Sequence, residues 1–594
     1  MACERQYSWG TAKEDYILPD AHTVVIQLAP AALAEAANGE CIWVWQPRGP
    51  NSRAESRKQA CKDKLTIRRV PFAQDRKASG VSVKVKLPNE RELTEDVVVE
   101  DLFIVSLGDS FASGESNPDR PVTFSATREM TYDPMMTRDD QVATRSIKEP
   151  PKYGVASFAD PIDYKTLPRR KLEDEEKGLI FRPTSREFVG AFEKRAAQWL
   201  SADCHRSQYG YPVRVALSLA MENRHRSITF VHLACSGSEV TEGLFLPRDP
   251  REGANEQKTV TAQFDQLSDL ICRNGAAGRT MASSYALPMY KSGSAAISVQ
   301  QVSKHWCPPA QRKRAIDFVL LSIGGNDVGF SAIALNSMTE SASDLAPVAS
   351  LIGSEIRYTA DVARAYLGVL DQRLKAVRDA LHDGFGVEPS RVVQTAYEPI
   401  HLDETGAACG LRPTLGLDVH QKFKMDYARV QEAGRFLGEL SARLECISDA
   451  KRRADCPRLA TGAGTGFRLV TEHIPKFSRR GLCARDPKRA DIDGTMMGMP
   501  RRVRGEDFKP YSPAFALPYG ARWRLVHTPN DAFLTANTHR DGISPFDILQ
   551  PPYVSLWSGA FHPTAEGHSI VADSVLPHIR GMLDKRDLAD ANRR

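Results

Sequence analysis

The chain has 594 residues, 42% of them hydrophobic and 26% charged, which is the composition of a folded globular protein and not of a disordered one. Its 79 basic and 74 acidic side chains leave a formal charge of +5, and no basic block occurs, so composition makes no case for a nucleic-acid partner. No apolar run reaches the roughly 18 residues that a membrane-spanning helix needs.

Residues 1–100 read as a small β-sandwich-like domain. Val81-Ser82-Val83-Lys84-Val85-Lys86-Leu87 alternates with period two, and strand-like runs stand at Thr23–Leu28, Cys41–Trp45 and Leu65–Val70. Trp43 and Trp45 suit a packed β core, with a sugar or lipid surface as their other use.

From residue 101 to 594, strands alternate with helices. The expected strands are Leu102–Leu107, Ile228–Leu233, Phe318–Ile323, Arg391–Thr395, Phe467–Thr471 and Trp523–His527. The expected helices are Arg186–Ser201, Pro212–Glu222, Thr261–Cys272, Ser354–His382, Met425–Ala454 and Thr564–Leu583. This order predicts a three-layer α/β/α domain with a doubly wound, mostly parallel sheet, whose ligands sit beyond the carboxyl ends of the strands. Irregular stretches at about 117–185, 275–310 and 475–520 are too long for plain connectors and read as lids or binding loops.

Three of the expected strands end in residues suited to acyl chemistry. Gly108-Asp109-Ser110 closes the first, Cys235-Ser236-Gly237-Ser238 the second, and Gly324-Gly325-Asn326-Asp327 the third. A glycine lets its backbone N–H approach a ligand closely, and an asparagine amide can donate to the same point, so together they suit an oxyanion. Near the C-terminus, Phe561-His562-Pro563-Thr564-Ala565-Glu566-Gly567-His568 places Pro563 at a first helical position and His562 at the helix entrance. His562 and His568 are six apart, whereas two metal ligands on one helix face need a spacing of about four, so no metal is expected. Gly462–Gly466 mimics a phosphate loop but precedes a strand and lacks the Lys-Ser/Thr ending, so it reads as a plain loop.

In this order the four blocks resemble the SGNH (GDSL) hydrolases: GDSFASGE with Ser110, ACSGS with Gly237, GGND with Asn326, and HPTAEGH with His562. The resemblance implies a flavodoxin-like fold and a cofactor-free serine ester hydrolase of the esterase or lipase type. Ser110 would be the nucleophile and His562 the general base. The oxyanion would be held by the N–H groups of Ser110 and Gly237 and by the Asn326 amide. Asp109 and Asp327 would brace their turns.

The stretch Cys204-His205-Arg206-Ser207 … Tyr211-Pro212 … Ala234-Cys235-Ser236-Gly237 is similar to a secreted bacterial branch of that family, which implies a Cys204–Cys235 disulfide. Most members carry an Asp three residues before the histidine. Here that position is Gly559, and in the resembling branch a backbone carbonyl takes over, giving a Ser–His dyad. Asp541, Asp547 and Glu566 stand as alternative third members.

The chain has eleven cysteines and no C-x-x-C pair, and composition alone leaves free thiols and disulfides equally open. With Cys204–Cys235 given by the resemblance, neighbour pairing adds Cys41–Cys61, Cys272–Cys307 and Cys446–Cys456, with Cys409–Cys483 by elimination, among many other connectivities. Disulfides would imply export to the periplasm, cell surface or medium. Cys3, left over, reads either as a lipid-anchor site or as a free thiol. MACERQYSWG lacks the charged and apolar regions of a signal peptide, so export implies a removed signal. The expected partner is an ester substrate, with a membrane surface as a further one, and the expected state is a monomer. The competing functions are a carbohydrate deacetylase with a glycan-binding N-terminal domain, and a non-catalytic binding protein on a degenerate hydrolase fold.

Overall fold

The computed structural model describes residues 17–19, 21–36, 38–48, 52–72, 79–120, 131–134, 179–182, 197–223, 225–250, 259–290, 296–339, 360–412, 416–417, 423–449, 451–485, 501–502, 508–509, 523–532 and 559–591. Most of the 117–185 stretch and Cys3, Asp541 and Asp547 lie outside them.

Six strands open the chain: β1 (Ala21–Ile26), β2 (Glu40–Pro47), β3 (Glu55–Ala60), β4 (Leu65–Pro71), β5 (Val81–Lys86) and β6 (Glu92–Val97). They form an antiparallel sheet in the order β3-β2-β5-β6 and a separate β1-β4 pair. Strands β3 and β6 were not expected. Both lie at sheet edges and read Glu-Ser-Arg-Lys-Gln-Ala and Glu-Leu-Thr-Glu-Asp-Val, and such charged edges discourage pairing with other chains. The inner strands show the alternation cleanly. Trp43, Trp45, Val83, Val85 and Leu65 bury into a core of their own, closed by the Cys41–Cys61 disulfide. With Trp43 2% and Trp45 6% exposed, neither ring is presented to a sugar or a lipid surface.

The chain then enters β7 (Glu100–Gly108). A short antiparallel pair, β8 (Thr131–Pro134) and β9 (Leu179–Arg182), precedes β10 (Arg226–His232), and the hairpin β11 (Met281–Tyr290) and β12 (Ile297–Trp306) precedes β13 (Phe318–Ser322), β14 (Val392–Thr395) and β15 (Arg468–Val470). Five of these make one parallel sheet in the order β10-β7-β13-β14-β15. Strands β7 and β13 carry nearly continuous apolar runs and β14 is buried along its length, as expected of parallel strands covered on both faces. Alternate residues bear this out. Leu102, Ile104, Leu320, Val393 and Val470 face one core with helices Tyr211–Glu222 and Ala565–Ala591. Phe103, Val105, Leu107, Val319, Leu321 and Leu469 face a second core with helices Gln263–Ile271, Ala360–Asp379 and Tyr427–Ser448.

In chain order the sheet reads second, first, third, fourth, fifth, so the direction of strand addition reverses between β7 and β13. A crevice opens at the carboxyl ends of strands at such a reversal.

Three expectations are corrected. Trp523–His527 is not a strand of this sheet. Its backbone groups are taken elsewhere: Leu525 N–H donates to Arg480 O at 2.8 Å, His527 N–H to His562 O at 2.9 Å, and Phe561 N–H to His527 O at 3.0 Å. Its apolar character reflects burial as a strap under the His562 loop. The 275–310 stretch is no lid: β11 and β12 pack Leu287 and Trp306 into the second core, and Cys272–Cys307 joins their base to the preceding helix. Of Arg186–Ser201, the described residues 197–201 are not helical, and Gln198 bridges to Arg120.

Disulfides also join Cys204–Cys235, the pair the resemblance implies, Cys446–Cys456, which neighbour pairing gives, and Cys409–Cys483, reached by elimination, so ten of the eleven cysteines are paired. Among the described residues no helix is long and apolar enough to cross a membrane.

Candidate active site

The turn that carries Ser110 is fixed by the end of β7. Gly108 has φ +127°, and a Cβ there would stand 2.0 Å from Ser322 O on neighbouring β13, so only glycine fits. One buried amide satisfies both its backbone groups: Gln263 Oε1 accepts from Gly108 N–H at 2.8 Å, and Gln263 Nε2 donates to Gly108 O at 2.8 Å. Asp109 then caps the four-residue helix Ser110–Ser113, accepting from Phe111 N–H at 3.0 Å. Its other oxygen accepts from the Tyr397 hydroxyl at 2.5 Å, and that hydroxyl accepts from Gly325 N–H at 2.8 Å. Burial pushes the Asp109 carboxyl up to about 7. Asp109 therefore braces the turn and ties it to the Gly325–Asn326 loop.

Ser110, half-buried, presents Oγ 2.6 Å from His562 Nε2. The opposite ring nitrogen, Nδ1, lies 2.9 Å from Gly559 O and 3.0 Å from Ala560 O. Carbonyls only accept, so Nδ1 carries the proton, Nε2 is the acceptor, and the Ser110 hydroxyl donates.

The loop that holds His562 is irregular and tightly clamped. Gly559 has φ +86°, and a Cβ there would fall 2.1 Å from Ser116 Oγ. Ser116 donates to Gly559 O at 2.6 Å, sharing that carbonyl with His562. Asn117 Nδ2 donates to Pro563 O at 2.9 Å, and Asn117 Oδ1 pairs with His527 Nε2 at 3.1 Å. Phe561 adopts φ +72°, a left-handed conformation costly for a residue with a bulky side chain, which the clamp maintains. Beneath it, the fully buried Glu115 pairs with His205 Nδ1 at 2.9 Å and accepts from the Ser236 hydroxyl, while Trp199 stacks on His205 at 4.1 Å.

Pro563 is not a first helical residue. The helix begins at Ala565, and Thr564 caps it by accepting from Gly567 N–H at 3.2 Å. Glu566 pairs with Arg480 at 2.9 Å and is not the partner of Nδ1.

Gly237 (φ +78°) follows β10, with the Arg248 guanidinium lying over it; a Cβ at 237 would stand 2.8 Å from both terminal nitrogens. Asn326 Nδ2 donates to Ser238 O at 3.0 Å, which joins the second and third strand-end turns. Asp327 is buried against Arg373 at 2.5 Å and accepts from Val240 N–H at 3.1 Å, and burial raises its pKa. Ser110, Gly237, Asn326 and His562 thus all lie on loops leaving the carboxyl ends of the sheet or folded onto them. Among the described residues no cluster of His, Cys, Asp and Glu could hold a metal ion.

Sequence reasoning gave no site role to Glu115, Ser116, Asn117, Gln263, Tyr397 and His527. The first three carried a signal, since they continue GDSFASG without a break as a polar run directly after a helix-ending glycine. The others sit 150 to 420 positions from Ser110 in the chain, roughly, with nothing local to mark them.

Comparison with protein families and with curated proteins finds no match. Among solved structures, the chain is similar to a family two carbohydrate esterase from Clostridium thermocellum, at 10% identity and a TM-score of 0.18 over 70% of this chain and 72% of that one. It is also similar to a carbohydrate acetylesterase from Xanthomonas citri, at 9% identity and a TM-score of 0.16 over 72% of this chain and 63% of that one. A third, a carbohydrate esterase with divergent catalytic and non-catalytic binding functions, gives 9% identity and a TM-score of 0.19 over 63% and 70%. Overlaps this loose leave function to the chain's own geometry.

Proposed function

We propose that the chain is a serine ester hydrolase of SGNH type, built on a doubly wound sheet and acting through a Ser110–His562 dyad. One observation carries this reading: His562 turns Nδ1 to two backbone carbonyls and Nε2 to Ser110 Oγ at 2.6 Å. That is the nucleophile–base–orienter arrangement of acyl transfer, with main chain in place of the carboxylate.

His562 takes the Ser110 proton as Oγ attacks the ester carbonyl. The oxyanion is held by the backbone N–H groups of Ser110 and Gly237 and by the Asn326 amide. His562 then protonates the leaving alcohol, and water, deprotonated by the same nitrogen, releases the acid and regenerates Ser110. Gly559 O stabilises the imidazolium as a dipole rather than as a full charge. The five disulfides support an oxidising compartment, and hence export.

Turnover of p-nitrophenyl acetate or butyrate by the wild type, abolished in a folded Ser110→Ala variant, is the expected result. Equal turnover by both proteins rejects the reading. The retained dyad geometry argues against a degenerate binding protein, and the burial of Trp43 and Trp45 removes the aromatic pair on which an N-terminal glycan site would rest.

A further inference from the structure

The space that a side chain at position 559 would take is filled from another part of the chain. A Cβ on Gly559 would stand 2.1 Å from Ser116 Oγ and 3.0 Å from Glu115 Oε1. The Ser116 hydroxyl donates to Gly559 O, the carbonyl that also faces His562 Nδ1. The Glu115 carboxyl therefore stands against the residue whose carbonyl orients His562, with 1% of its side chain exposed.

Its surroundings suit an anion. Both carboxyl oxygens lie against one nitrogen, His205 Nδ1, at 2.9 and 3.1 Å, as when a single N–H is shared by an ionised carboxylate, and Oε2 also accepts from the Ser236 hydroxyl. The Cys204–Cys235 disulfide joins the residues directly before His205 and Ser236, Ser236 N–H donates to Cys204 O at 3.1 Å, and Trp199 stacks on the His205 ring. The two donors to Glu115 are thus fixed to each other. On the same turn, Arg206 donates to Ala234 O at 3.0 Å and Arg248 to Ser236 O.

A buried charge acts over several ångströms, and an anion near an imidazole favours its protonated form. We infer that Glu115 is a positioning residue that supplies the negative charge for His562, through space and behind Gly559 O, an assignment that rests on the hydrolase reading above. As Ser110 gives its proton to His562, the imidazolium forms beside this carboxylate; the proton stays on the ring, and Glu115 takes no part in the transfer. Other titratable groups stand around the pair. On the following helix, Glu566 is paired with Arg480 at 2.9 Å, and burial with Arg214 holds His568 well below the ordinary histidine range, hence neutral. On the strap, His527 is bonded to Asn117 at 3.1 Å, and just beyond it Asp531 accepts from Thr528 N–H at 3.3 Å. On the Ser110 side, Asp109 is pushed up to about 7, so the titration of His562 has to be read on its own ring.

NMR titration of isotope-labelled histidines in the Ser110→Ala variant follows that ring without any turnover, the His562 signal being assigned by its loss in His562→Gln. Adding Glu115→Gln should move the His562 pKa down by about one pH unit, and Glu115→Asp, which keeps the charge, should restore most of it. With Ser110 in place, Glu115→Gln should lower kcat for p-nitrophenyl acetate by about tenfold with KM unchanged, and move the acid limb of the kcat profile down by the same interval. His205→Phe keeps a ring against Trp199 but removes the N–H that holds the carboxylate charged. It should move the His562 pKa the same way, and serves should Glu115→Gln fail to fold. A His562 pKa that stays within about 0.2 pH unit in the folded variants, or a kcat that falls while the acid limb stays, makes Glu115 a structural residue and overturns the inference even where turnover depends on Ser110. The NMR shift in a protein that hydrolyses no ester keeps the coupling of Glu115 to His562 and rejects the hydrolase.

Discussion

Ser110 and His562 are held by different kinds of structure. Ser110 stands at the end of a central strand, where a glycine locked against β13, a buried glutamine amide and the Asp109–Tyr397 pair fix it from the interior. His562 stands on a loop outside every sheet, placed by single hydrogen bonds from Ser116, Asn117 and the His527 strap. Buried hydrogen bonds within the sheet place Ser110, and a few hydrogen bonds between loops place His562. Errors introduced at the first site should therefore cost stability as well as activity, and errors at the second should cost catalysis first.

The largest effect removes the chemistry. Ser110→Ala and His562→Ala should each lower ester kcat by about a thousandfold or more, and the double variant should be no worse than either, because the pair acts as one unit. Steady-state kinetics on the three proteins checks this, and additive losses contradict it. Losing Asn326 to Ala should cost about a hundredfold in kcat if its amide is an oxyanion donor.

Gly559→Asp sharpens the contrast, because it places a carboxylate three residues before His562. Here it should lower kcat by about tenfold or more rather than raise it, since a Cβ at φ +86° falls on Ser116 Oγ and displaces the carbonyl that holds His562. A gain in kcat would show that the loop can accept an acid. Ser116→Ala is gentler: kcat should fall by about threefold to tenfold with KM unchanged, and Ser116→Thr, which keeps the hydroxyl, should recover most of the loss. A change in KM alone contradicts a positioning role.

How much of this was legible in the sequence follows the same division. The sheet strands announced themselves as apolar runs, and the residues at their ends, Ser110, Gly237 and Asn326, could be picked out because a strand end is a local feature. The clamp could not. Asn117 meets His527 across 410 positions and Ser116 meets Gly559 across 443, and no local pattern encodes a single long-range hydrogen bond. The strap at 523–527 misled for a related reason: full burial gives the same apolar signature as a central strand, and only its hydrogen-bond partners distinguish the two.

The smallest effect falls on stability. Burial pushes the Glu398 carboxyl up to about 8, and its Oε2 is buried with no hydrogen-bond partner. Its folded pKa lies above its unfolded one, so the folded state holds the extra proton between about pH 4 and 8, and the associated stability is lost as pH rises through that window. Burial lowers His473 to about 4, the opposite case, with stability lost as pH falls from about 6.5 toward 4. Glu398→Gln should therefore gain on the wild type between pH 5 and pH 8, by about 2–4 °C in Tm per kcal/mol relieved. A Tm difference that is the same at both pH values contradicts the burial argument.

The central claim, that Ser110 is a nucleophile activated by His562, is met most directly by covalent labelling with an alkyl fluorophosphonate. The serine oxygen attacks phosphorus, fluoride leaves, and the serine proton passes to the base. The expected result is one adduct per chain, mapped by peptide mass to the Gly108–Glu115 segment at Ser110, and slowed by about a thousandfold or more in His562→Ala. An adduct on a different serine, or labelling of Ser110 at an undiminished rate in His562→Ala, would contradict the account.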